Sequence, residues 1–332
     1  MTPAEGGLAA TSIPNGVDTA RERFRADALL GLGLTPKRLA PKYFYDRAGS
    51  ELFDAICELP EYYVTRAETS IMRARVNEVV AGWGPRVRVI EPGAGSGTKT
   101  RLVLEALGPS RCVEYVPVDI SREHLAHAAK QLRGDYPWLR VTPLAADFAI
   151  ELPVPSAPAK DDDARKVVYF PGSTIGNFEP TEAQRLLARF RRAAGAKGTV
   201  VLGVDLKKEP ATLHAAYNDA QGVTAAFNRN VLARMNRELG GTFDVDAFAH
   251  YAFYQPVFGR IEMHLVSLRR QEVLVSGRRF HFDEGESIHT ESSYKYDLPA
   301  AERLARLAGL QLVDAWLDDE RRFAVLELRS VV

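Results

Sequence analysis

Cysteine is nearly absent from this chain of 332 residues. Only Cys57 and Cys112 occur, far apart and without a CxxC or Cys/His neighbourhood. That argues against a disulfide framework or a cysteine-based zinc site and reads each as a small buried hydrophobe. A net charge of one sign is also missing, because Lys+Arg and Asp+Glu number 43 each. A general binder of nucleic acid or of anionic membranes carries a basic excess, so neither partner is expected. No apolar run approaches the roughly 18 residues of a membrane span. The stretch from Met1 to Gly16 lacks the basic-then-apolar pattern of a signal peptide. The seven histidines show no spacing such as HExxH, so no metal and no catalytic histidine is expected. What remains is a cytoplasmic monomer that handles small molecules.

What is present is the composition of an ordinary globular protein, 46% hydrophobic and 26% charged. The length calls for one large α/β unit or two domains. Residues 1–15, rich in Ala, Gly, Pro and Ser, read as a loose tail. From Ala67 to Trp83 apolar residues recur at helical spacing and stop at Gly84-Pro85, ahead of a short apolar run at Val87, Val89 and Ile90. The alternation continues with strands over Val113–Val118, Leu139–Leu144, Val167–Phe170 and Thr199–Val204, and helices over Ser121–Leu132 and Thr181–Ala194. Such βα alternation predicts a doubly wound, mostly parallel sheet. After Val204 the rhythm breaks into a helical stretch, Ala211 to Leu239, and a hairpin turning near Ser276-Gly277. A helix from Ala300 to Ala308 and two strands, Leu310–Trp316 and Phe323–Leu328, close the pattern.

The chemistry-bearing segment is Val89-Ile90-Glu91-Pro92-Gly93-Ala94-Gly95-Ser96-Gly97, which follows a strand and precedes a helix. Glycines there let backbone approach a nucleoside closely. Asp119 ends the next strand, where a carboxylate accepts hydrogen bonds from ribose hydroxyls. Asp147-Phe148 follows the third, where an acid meets an adenine amino group and an aromatic covers the ring. A nicotinamide-dependent oxidoreductase shares the loop and the second-strand acid. Three features favour S-adenosylmethionine: the GxGxG spacing behind Glu91, the Asp-Phe pair, and the terminal helix and hairpin of a class I methyltransferase.

Further strings carry a resemblance: Pro41-Lys42-Tyr43-Phe44-Tyr45-Asp46, Leu59-Pro60-Glu61-Tyr62-Tyr63, Gly172-Ser173-Thr174-Ile175-Gly176-Asn177, Gly222-Val223-Thr224-Ala225-Ala226-Phe227-Asn228-Arg229-Asn230, Arg260-Ile261-Glu262-Met263 and Thr290-Glu291-Ser292-Ser293-Tyr294-Lys295. On these the chain resembles, from about Pro36 onward, the histidine Nα-methyltransferases of ergothioneine biosynthesis. The resemblance implies S-adenosylmethionine as methyl donor, held by Gly93, Lys99, Asp119, Asp147 and Phe148, and L-histidine as substrate, trimethylated on its α-amino group to hercynine. It implies that Asn177 and Tyr217 hold the amino-acid head group, with Tyr45 and the Gly172 backbone near the amine, so that Tyr45 and Asn177 are the catalytic pair. Glu291 and Ser293 would read the imidazole, with Tyr62 alongside and with Met263 and Ser292 among the substrate-binding residues. The glycine loop departs from the commoner family pattern at Pro92, Ala94 and Gly97, which leaves contacts from Ser96 and Thr98 open.

The family's fold implies two discontinuous parts, an α+β substrate domain from 16–66 and 206–296 and a Rossmann-like methyltransferase domain from 67–205 and 297–332. Bland readings stand beside these roles. Asn177 also fits a helix cap ahead of Pro180, and Glu291 with Ser293 also fits an exposed polar loop. Strand alternation nevertheless points Glu291 and Ser293 to one face. Rival functions are methyl transfer to another amino acid or a histidine derivative, a nicotinamide-dependent oxidoreductase, and a silent S-adenosylmethionine sensor.

Overall fold

A computed structural model describes residues 16–331 apart from 96, 121, 157 and 158. The expected tail, 1–15, lies outside the described residues. The described residues open with α1 (Gly16–Leu32), β1 (Lys37–Arg38) and α2 (Arg47–Glu58). Asp46 caps α2, its carboxylate accepting from the Gly49 amide at 2.7 Å. Next come α3 (Tyr63–Ala81), β2 (Val87–Pro92), α4 (Thr98–Arg111), β3 (Cys112–Asp119), α5 (Arg122–Asp135) and β4 (Leu144–Ala145). The series continues with β5 (Arg165–Phe170), α6 (Pro180–Ala194) and β6 (Thr199–Asp205).

Beyond β6 lie α7 (Pro210–Tyr217), α8 (Val223–Leu239), β7 (Phe248–Gln255), β8 (Arg260–Ser267), β9 (Gln271–Val275), β10 (Arg278–Phe282) and β11 (Ser287–Tyr294). The chain then closes with α9 (Leu298–Leu307), β12 (Leu310–Leu317) and β13 (Phe323–Ser330).

Seven strands form the larger sheet in the order β12-β13-β6-β5-β2-β3-β4. β4, β3, β2, β5 and β6 run parallel, and β13 enters antiparallel between β6 and β12. Every residue of β2 and β6 is buried, because helices cover both faces of the sheet. Continuous apolar runs in the sequence are the trace of that double cover. The chain leaves β2 toward β3 and β4, then returns to build β5 and β6 on the other side. The crevice at the carboxyl ends of β2 and β5 is therefore the topological switch point, where open α/β sheets bind ligands. This α/β arrangement with an antiparallel terminal hairpin is that of a class I methyltransferase.

The smaller sheet has the order β1-β11-β8-β7, and β9 pairs with β10 as a separate hairpin. That hairpin turns at Ser276 (φ 49°) and Gly277 (φ 77°), the paired positive φ of a type I′ turn.

Two sequence expectations need correction. Leu139–Leu144 is not a strand: only Leu144–Ala145 joins the sheet, with an isolated bridge from Val141 to Tyr115. Pro143 has no amide proton to give to a ladder, which shortens the pairing. Ala211 to Leu239 is not one helical stretch but two helices, α7 and α8. Asp219 ends the first course and starts the second, its carboxylate accepting from the Val223 and Thr224 amides, both at 2.8 Å.

Candidate active site

The turn after β2 places Gly93 at φ 70°, a conformation cheap only for glycine, with its amide donating to the Val118 carbonyl at 2.7 Å. Glu91, the last acid of β2, is buried and accepts from the Thr100 and Tyr115 hydroxyls, each at 2.6 Å. Burial pushes its carboxyl up, while the two hydroxyls favour the ionised form. Its role in the structure is to tie the glycine turn to α4 and β3.

A cavity of about 1580 Å³ opens over these strand ends, with Gly93, Gly95, Lys99, Asp119, Asp147 and Phe148 on its wall. The Phe148 ring stands against Gly93, where an added Cβ would lie 3.5 Å from it, and packs edge-on to Phe170. Asp147 accepts from the Ala149 amide at 3.0 Å and faces Lys42 at 3.4 Å. These residues fit S-adenosylmethionine: a glycine turn for close backbone approach, an acid at the end of β3 for the ribose, and an acid with an aromatic beyond β4 for adenine. Ser96 lies outside the described residues. Asp119→Ala is expected to weaken S-adenosylmethionine binding by about 1.5–3 kcal/mol, the range for charge-assisted hydrogen bonds. Calorimetry on the folded variant checks this, and unaltered affinity would remove the ribose role.

A second, deeper cavity of about 60 Å³ is bordered by Tyr45, Tyr62, Asn177, Tyr217, Glu291 and Ser293, with Met263 and Gly172 also on its wall. Tyr45, Tyr62, Gly172 and Asn177 border both cavities. The two spaces thus meet at one collar. Gly172 (φ 79°) and Ser173 (φ 56°) both adopt left-handed backbone, which folds the segment after β5 back over the opening. The Ser173 hydroxyl accepts from the Asp205 amide at 2.9 Å and holds that turn in place.

Electrostatics separate the groups of the deep cavity by role. Burial drives the Tyr45 and Tyr62 hydroxyls well above their usual range, so both stay protonated and serve as hydrogen-bonding groups, not bases. Burial also pushes Glu291 up, to about 7, although Lys295 pulls the other way. Asn177 Nδ2 lies 3.5 Å from Glu291 Oε2, the long limit of a hydrogen bond, so the amide faces the cavity. The amide is not spent on capping α6. At that helix start the side chain of Glu182 accepts from the Glu179 amide at 3.1 Å.

Ser292 is the expected site residue that the structure does not bring in. It points to the opposite face of β11, where its hydroxyl lies 3.2 Å from His289 Nε2. Side chains alternate along a strand, so a residue between Glu291 and Ser293 cannot share their face. On that outer face the donor atoms of Glu262, His264 and His289 come within 4.8 Å of one another. Glu262 is already engaged there, by Arg260 at 2.8 Å and His264 at 3.2 Å.

Sequence reasoning missed three residues of the site. Glu68, fully buried on α3, accepts from the Lys99 ammonium and from the Gly172 amide, the latter at 2.8 Å. It therefore couples the cofactor cavity to the collar. Asp205 and Lys295, both buried, pair at 2.9 Å behind Tyr217 and Ser293. A lone acid in a helix and a lysine closing a polar run give no local sign of such partners.

Fold and site together define a class I S-adenosylmethionine-dependent methyltransferase. A family model described as histidine-specific, S-adenosylmethionine-dependent methyltransferase matches residues 24–330, and the chain belongs to that family. It is 38% identical to a histidine N-alpha-methyltransferase of Mycolicibacterium smegmatis, over 93% of this chain and 95% of that protein. Identity to the protein of the same description from Mycobacterium tuberculosis is 39%, over 93% and 96%. Ergothioneine biosynthesis protein 1 of Neurospora crassa is 29% identical over 85% of this chain, which corresponds to 32% of that longer protein. Family membership sets the nicotinamide-dependent alternative aside. Among the described residues no helix is long and apolar enough to cross a membrane.

Proposed function

We propose that this chain transfers methyl groups from S-adenosylmethionine to the α-amino group of L-histidine, successively, until the trimethylated betaine hercynine is formed, the first step of ergothioneine biosynthesis. The observation that supports this most is the collar of Tyr45, Tyr62, Gly172 and Asn177, which borders both cavities. An amine held there faces the cofactor cavity on one side while its side chain enters the deep cavity on the other.

S-adenosylmethionine supplies a methyl group already activated by its sulfonium, for an in-line displacement. The chain's own residues present the amine as a free lone pair. Gly172 has its amide committed to Glu68, so only its carbonyl is left to accept from the amine. Tyr45 keeps its hydroxyl proton and orients the nitrogen without deprotonating it. Asn177 aligns the head group, and Glu291 accepts from the imidazole N–H at the far end. The trimethylated nitrogen, unlike the dimethylated one, cannot be protonated and so never offers an N–H to Gly172, which favours release of the final product.

On this reading residues 67–205 and 297–332 carry the cofactor, and 16–66 with 206–296 carry the amino acid. The test is mass spectrometry of free amino acids incubated with the protein and S-adenosylmethionine. Histidine should gain methyl groups up to the trimethylated product. Methylation of a different amino acid, or of a histidine derivative alone, would replace the substrate assignment. Binding without release of S-adenosylhomocysteine would indicate a sensor.

A further inference from the structure

Lys295 stands on the wall of the deep cavity beside Tyr217 and Ser293 and is only 3% exposed. Its ammonium donates to Tyr217 Oη at 3.0 Å and to Ser293 Oγ at 2.8 Å, and it pairs with Asp205 Oδ2 at 2.9 Å. All three of its N–H groups are thereby committed. The Tyr217 and Ser293 hydroxyls are themselves 2.8 Å apart. Each hydroxyl has one proton and two acceptor sites, and Lys295 occupies one acceptor site on each. In that contact Tyr217 donates and Ser293 accepts, so both acceptor sites of Ser293 are filled and the proton left over is its own. A single proton remains, and the cavity is the side left open to it.

We infer that Lys295 is a positioning residue that, together with Tyr217, fixes Ser293 as a hydrogen-bond donor toward the bound amino acid. A group that meets Ser293 must then be an acceptor. At Ser293 that is the unprotonated nitrogen of a neutral imidazole, whose N–H goes to Glu291. The lysine acts by removing the alternative at Ser293: without it, that hydroxyl has a free acceptor site and would tolerate a donor. Asp205 fixes the ammonium in turn, through a carboxylate that also accepts from Tyr63 at 2.9 Å.

The inference rests on the histidine reading, and the experiment separates the two. Lys295→Met keeps length and volume but removes every donor. With histidine it should raise KM roughly tenfold or more, the scale of a hydrogen bond to a charged group, while kcat changes less and S-adenosylmethionine affinity stays within about twofold. Lys295→Gln, which keeps amide donors, should recover part of the loss. A purely structural lysine would lower the folded fraction and leave KM unchanged in the protein that remains folded.

A second measurement needs no variant. The unaltered enzyme should prefer histidine to 3-(pyrrol-2-yl)alanine, whose ring offers an N–H but no acceptor, by roughly a hundredfold or more. That preference should shrink in Lys295→Met. Equal use of the two amino acids by the unaltered enzyme, or an unchanged KM and preference in folded Lys295→Met, overturns the inference. Failure to methylate histidine at all would instead overturn the functional reading.

Discussion

Glu291→Ala is expected to collapse a preference for histidine over phenylalanine that, in the unaltered enzyme, should be on the order of 10⁴-fold in kcat/KM, because polar groups of a built site are left unpaired by an apolar analogue. Glu291 and Ser293 stand on one wall of the deep cavity, both buried, and phenylalanine satisfies neither. Removal of the carboxylate takes away the larger of the two desolvation penalties. A large aromatic at position 291 should go further and favour an aromatic amino acid, by supplying a stacking surface in place of the acceptor. Steady-state kinetics with histidine, phenylalanine and tryptophan measure this. An unaltered enzyme that takes phenylalanine as readily as histidine refutes the role of Glu291.

The same residue sets a pH dependence whose sign follows from its burial. Its native value is pushed up to about 7 from an ordinary 4.5. Between those values the unfolded chain has released the proton and the native chain retains it, so stability falls as pH rises through that window. Above pH 7 the native state carries the full penalty of a buried carboxylate. Glu291→Gln should therefore be more stable than the unaltered ligand-free protein at pH 8 and no more stable at pH 4, as read from thermal melting. Specificity and stability pull in opposite directions at this position.

Asp205→Ala is expected to destabilise the fold by about 3–5 kcal/mol, the cost of leaving buried charges without their counterion. Burial alone would raise the Asp205 carboxyl, but Lys295 and Lys208 beside it hold it below the usual range. Lys208 shows the same environment from the other side, since burial pushes it down to about 8 even with Asp205 adjacent. Removing the carboxylate leaves two ammonium groups facing each other in a dry pocket. Removing Lys295 as well should cost less than the sum of the two single changes, because the partner most in need of the carboxylate is gone. Urea titration of the Asp205→Ala, Lys295→Met and double variants checks this. Strictly additive losses would mean that the pair is not coupled.

Much of the larger sheet and of the cavity over its strand ends was legible along the chain. A strand, a glycine turn and a helix are local events, written by apolar periodicity and by the φ that each residue tolerates, and so Gly93, Asp119 and Asp147-Phe148 could be placed at successive strand ends before any packing was known. The smaller sheet and the deep cavity were less legible. β11 pairs with β8 through a register shift between His289 and Glu291. His289 lies opposite His264 on the outer face, whereas Glu291 lies opposite Met263 on the inner one, so the extra residue, Thr290, turns Glu291 inward. Alternation could state that Glu291 and Ser293 share a face, and that Ser292 does not, but not which face is the cavity.

By itself the sequence determined most of the βα alternation of the larger sheet, the glycine turn and the acids that follow the strands, because these depend on neighbours within a few residues. Only the tertiary structure decided that Glu68 joins Lys99 to the Gly172 amide, that Asp205 of β6 meets Lys295 just beyond β11, and that Glu291 faces inward. Those outcomes depend on burial and on partners many tens of residues away, and a charged side chain in a sequence carries no mark of the counterion that folding will bring to it.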